Sequence, residues 1–78
     1  MSEEEWTSVY EAWVDFNDID KEGYTSTLRK FTHPELDVSD IGCIILVGDN
    51  DGNSAFAKLL SLDDLVRLRV FVETFDAG

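Results

Sequence analysis

Asp18, Asp20 and Glu22 stand at alternate positions, with Gly23 in the sixth place counted from Asp18. That is the opening of a calcium-binding loop, where alternating oxygens wrap the cation and a glycine permits the sharp turn. The remainder does not fit. The eighth place holds Thr25 where an apolar residue is usual, and the twelfth holds Arg29 where a bidentate carboxylate closes the shell. An arginine there opposes a cation, so the segment is expected to be a solvated turn ended by Gly23. Asp49, Asn50, Asp51, Gly52 and Asn53 offer the same oxygens, but the glycine comes fourth and no acid follows at the right distance. These residues suit the backbone of a turn, and no metal is expected at either place.

Nucleophilic chemistry has little to draw on. His33, beside Pro34, is the one histidine, and Cys43 is the one cysteine. A nucleophile with a base would be Cys43 or a serine with His33. Cys43 lies inside an apolar run and is expected in the core, as free cysteines usually are. Carboxylates abound, but acid–base work needs a pair whose environments push their pKa values apart, and no pattern marks one. No glycine-rich loop leads into a helix with a lysine. We expect no catalytic residue, no cofactor and no enzyme.

Charge is the feature that discriminates between partners. Asp plus Glu number 17 against 6 Lys plus Arg, a formal net charge of -11. Nucleic acid and anionic membrane both require positive charge to displace counterions, so neither is expected as a direct ligand. A basic protein surface is the expected partner, steered in by the long-range field. The acids Glu3, Glu4, Glu5, Glu11, Asp15, Asp18, Asp20, Glu22, Asp49 and Asp51 are the candidate contact surface. In its sharpest form the expectation is an inhibitor or adaptor whose carboxylates stand in for nucleic-acid phosphates. A subunit that self-associates through a strand edge and Phe71 or Phe75, a ligand- or metal-binding barrel, and charge serving solubility alone are the alternatives.

Aromatic residues supply candidate anchors. On a strand, Trp13 points away from the face of Tyr10, Val14 and Phe16, and Phe71 points away from a valine face. Trp and Tyr are common interface anchors, so Trp13 and Phe71 are the anchor candidates, with core packing the plain alternative. Arg67, Arg69 and Phe71 would share one outer face, where arginines commonly pair with acids across a sheet.

These residues need elements to hold them. In residues 66–73, Val66, Leu68, Val70 and Val72 alternate with Arg67, Arg69, Phe71 and Glu73, the period of a half-buried strand. A helix is the rival, since Ser61 to Asp64 has the form of a capping box. Residues 41–47 and 54–60 flank an Asp-Gly turn and read as a hairpin. The first of these runs, apolar on both faces, is expected to be the most buried strand. On the second, Ala55, Ala57 and Leu59 share one face, opposite Phe56, Lys58 and Leu60. Residues 10–17 alternate like a strand, although Trp6, Val9, Tyr10, Trp13 and Asn17 also fit a helix. Residues 24–31 read as a further strand and 32–40 as a loop.

Five short strands with turn chemistry between them make an all-β reading, with α+β the alternative. The stretch from Leu36 through Val72 resembles an SH3-like barrel: a loop, a buried strand, a tight Asp-Gly turn, a second strand and then a basic strand. Modules of that outline bind peptides, nucleic acids and metals, so the resemblance implies a fold and no single function. The 78 residues, 44% of them apolar, suit one small folded domain over residues 1–78. One cysteine, an acidic N-terminus and no long apolar run lead us to expect a cytoplasmic protein.

Overall fold

The structure is a computed structural model and describes residues 9–78, so Glu3, Glu4, Glu5 and Trp6 lie outside the described residues. Five strands form one curled sheet, a half-barrel. They are β1 (Ala12–Trp13), β2 (Tyr24–Leu28), β3 (Ile44–Gly48), β4 (Ser54–Leu62) and β5 (Leu65–Asp76). Helical structure among the described residues is confined to single 3₁₀ turns at Phe16–Asp18, Arg29–Phe31 and Val38–Asp40. The all-β expectation holds, and the C-terminal segment is a strand.

Sheet order is β1-β3-β4-β5-β2, so β1 and β2, neighbours in sequence, lie at opposite edges. β1 runs parallel to β3, and the other pairs are antiparallel. The chain leaving β2 then turns back toward β1. Ala12 bridges Thr32, and the His33 N–H donates to the Glu11 carbonyl at 2.8 Å. Arg29 fixes this return. Its guanidinium donates to the Thr32 hydroxyl, to the His33 carbonyl at 3.0 Å and to the Leu36 carbonyl at 2.8 Å.

Alternation builds the core. Ala55, Ala57 and Leu59 of β4 and Val66, Leu68 and Val70 of β5 are buried on the inner face. Ile45 and Val47 of β3 join them, with Ala12, Val14 and Leu36. Leu59 and Leu68 face each other across the β4–β5 ladder. The Asp-Gly hairpin forms between β3 and β4 as its composition requires, with Gly52 at φ +87°. The presumed capping box at Ser61 is instead the end of β4 and the tight β4–β5 turn through Asp63 and Asp64. A capping box is made by Asp37 and Asp40, around the 3₁₀ turn Val38–Asp40.

Three expectations change. Residues 41–47 are not one strand buried on both faces. Ile44 is 54% exposed, because no layer covers the outer side of β3. Cys43 is exposed rather than in the core. Gly42, at φ +95°, turns the chain there, and the Cys43 N–H donates to the Asp40 carbonyl at 2.9 Å, so the strand starts only at Ile44. Val72 leaves the buried face of β5 and is 55% exposed. Its ladder with β4 shifts register between Phe56 and Ser54, and β2 ends opposite Arg69, so β5 runs on past its neighbour.

Candidate functional site

The acids are concentrated outside the strands, whereas the cations are divided: Lys21, Arg29 and Lys30 also lie outside them. Among the described acids, all but Glu73 and Asp76 lie outside the strands. Lys58, Arg67 and Arg69 lie on the outer face of the sheet. Tyr24, Arg69, Lys58 and Ile44 form one cross-strand row, with the Arg69 guanidinium 5.7 Å from the Tyr24 ring. Arg67 lies opposite Ser26 on one side and Ser61 on the other. The expectation of acids across from these arginines is therefore not met.

The candidate acids divide by what their carboxylates do. Asp15 accepts the Asn17 N–H and caps the first 3₁₀ turn. Asp20 accepts the N–H groups of Glu22 and Tyr24, both at 2.9 Å, which makes it the organiser of the turn ended by Gly23. Asp49 accepts the N–H groups of Asp51 and Asn53 and the Asn53 side-chain amide. Burial would raise the Asp49 carboxyl, but these hydrogen bonds outweigh it and hold the group below the usual carboxylate range. Glu11 binds the backbone of β3 through the Leu46 N–H. Asp18, Glu22 and Asp51 are exposed, and no hydrogen bond among the described residues uses their carboxylates.

Neither aromatic candidate stands free of the fold. Trp13 is half-buried, 5.5 Å from the Phe31 ring, and its Nε1 is buried with no hydrogen-bond partner among the described residues. Phe71 is half-buried on the outer face, opposite Phe56.

Clefts among the described residues include the following two. One, of about 280 Å³, is lined by Glu11, His33, Glu35, Leu36, Asp40 and Cys43, with Ile44 and Ile45. It gathers the histidine and the cysteine, but the His33 Nδ1 accepts the Glu35 N–H. Among the described residues no group of three or more His, Cys, Asp or Glu side chains is placed to hold a metal. The second cleft, about 420 Å³, lies between residues 16–20 and the far half of β5. Phe16, Ile19, Val70, Val72 and Phe75 line it with Asn17 and Asp20, and the Phe16 and Phe75 rings meet edge-on at 5.1 Å. The sequence carries no signal for this cleft beyond the two apolar residues, Val72 and Phe75, near the end of the last strand.

No family model matches the chain, and neither does any curated protein or solved structure. The molecule is thus defined by its own geometry: a small all-β half-barrel with acidic loops and a basic, aromatic outer face. Among the described residues no helix is long and apolar enough to cross a membrane.

Proposed function

We propose that this chain is a non-enzymatic interaction module that binds a basic protein surface with its acidic loops, the carboxylates standing in for the phosphates of a nucleic acid. The observation that carries the reading is the concentration of exposed acids in the loops. Exposed acids follow one another along residues 15–22, with Lys21 the single cation among them, and return at Asp51, while Lys58, Arg67 and Arg69 lie on the sheet. Loops on a rigid sheet fix the positions of such charges, and the field of a chain at -11 steers a cationic partner inward. A reducing cytoplasm suits the single exposed thiol.

The test uses the acids that do no structural work. A variant combining Asp18→Asn, Glu22→Gln and Asp51→Asn keeps every turn and removes three charges. The chain and the variant are used as baits, with elution by a salt gradient. A basic protein released from the chain at moderate salt, and at clearly lower salt from the variant, supports the reading. Partners that elute from both baits at the same salt contradict it.

A further inference from the structure

The far half of β5 is an unfinished edge. β2 pairs with β5 only as far as Tyr24 opposite Arg69, and the last bond on that side runs from the Val70 N–H to the Gly23 carbonyl at 2.7 Å. Beyond it, residues 71–76 are paired with β4 alone. No backbone hydrogen bond among the described residues joins that edge to residues 16–20 across the cleft. An unpaired strand edge is a template for another strand, and proteins ordinarily blunt one with lysine, proline or a covering segment. Here the edge carries Val72 and Phe75, 55% and 46% exposed, beside the acids Glu73 and Asp76, and the apolar cleft opens along it.

The charge around the cleft selects the occupant. Asp20 lines it, Asp18 lies in the facing 3₁₀ turn, and Glu73 and Asp76 lie on the strand itself. No cation lines it. We propose that the partner inserts an extended segment of alternating basic and apolar residues, which adds as a strand to the open edge of β5. One of its apolar side chains fills the cleft between Phe16, Ile19, Val72 and Phe75, and its cationic side chains reach Asp18, Asp20 and Glu73. Main-chain bonds supply affinity in this mode, and the cleft and acids supply choice of partner. A second copy of this chain is disfavoured, since pairing two such edges brings like acids together. This inference rests on the reading of the chain as a binder of basic proteins and names how that partner is gripped.

Three short synthetic peptides test it: alternating lysine and valine, alternating lysine and glycine with the same charge, and alternating glutamate and valine. Affinity is read by titration, and the site by hydrogen exchange of the amides of residues 71–76. The lysine–valine peptide is expected to bind at least about tenfold more tightly than the lysine–glycine peptide, the increment of one seated apolar side chain. It should also slow exchange at those amides. Phe75→Ser, which removes one wall of the cleft, should bring the affinity for the lysine–valine peptide down towards that for the lysine–glycine peptide. Equal binding of the two basic peptides, without protection of the edge, overturns the strand-addition site and leaves the acidic-surface reading standing. Failure of both basic peptides overturns both. Preferential binding of the glutamate peptide, or concentration-dependent dimers in sedimentation that protect the same amides, overturns the choice of a basic occupant.

Discussion

Glu11 holds both backbone polar groups of Leu46: the Glu11 N–H donates to the Leu46 carbonyl at 2.7 Å, and the Glu11 Oε1 accepts the Leu46 N–H at 2.9 Å. An acid that composition offers as a contact for a partner is thus a side-chain extension of the β1–β3 ladder. Backbone groups that lose a charged acceptor cost about 1–3 kcal/mol. Glu11→Ala is expected to lower unfolding stability by about that amount in urea titration. Glu11→Gln retains an oxygen acceptor and should recover most of the loss.

Arg29 is the second charged residue held inside the fold. Its three acceptors are a hydroxyl and two carbonyls of the return segment, an arrangement that needs a planar fork of donors. Arg29→Ala should cost about 2 kcal/mol. Arg29→Lys should recover little of this, because one ammonium cannot reach the three sites together. The urea midpoints of the two variants check both statements.

Gly23 and Gly42 share a φ of +95° and differ in surroundings. A Cβ at Gly42 meets nothing within 4 Å, whereas one at Gly23 comes within 2.3 Å of the Val70 carbonyl oxygen. Gly42→Ala should cost only backbone strain, about 1–2 kcal/mol. Gly23→Ala adds a clash that breaks the bond joining the turn to β5, and its thermal midpoint should fall clearly below that of Gly42→Ala.

Asp49 gives the acid limb of stability a definite sign. Its folded carboxyl lies below the ordinary value of 3.8, because the hydrogen bonds from Asn53 and Asp51 outweigh the effect of burial. The folded chain therefore releases that proton more readily than the unfolded chain. The stabilisation is complete above the ordinary value and is lost as pH falls through the folded one. Asp49→Asn has no such carboxylate, so its stability should fall less steeply in acid. Urea midpoints measured at successively lower pH show it.

Period-two patterning grouped Ala55, Ala57 and Leu59 on one face of β4 and Val66, Leu68 and Val70 on one face of β5, and the structure buries both groups. Asp-Gly chemistry marked the β3–β4 turn. What alternation does not carry is which neighbour a strand has and where that neighbour stops. Val72 fits the buried set by parity but is exposed because β2 ends early and the β4 ladder shifts. Cys43 sits in an apolar run, yet Gly42 breaks the strand ahead of it. The acids were visible as a count. Their division into turn-builders such as Asp20 and exposed charges such as Asp18 depends on hydrogen bonds that only the folded turn creates. The cleft joins Phe16 to Phe75 across the whole length of the chain, a pairing that no local pattern encodes.

The most direct test of the account is the salt dependence of association with a purified basic partner, measured for the chain and for the Asp18→Asn, Glu22→Gln, Asp51→Asn variant. Association of the chain should slow steeply as ionic strength rises, and the variant should associate more slowly with a shallower slope. Identical rates and slopes for the two proteins would contradict it and leave the acids as a solubilising coat.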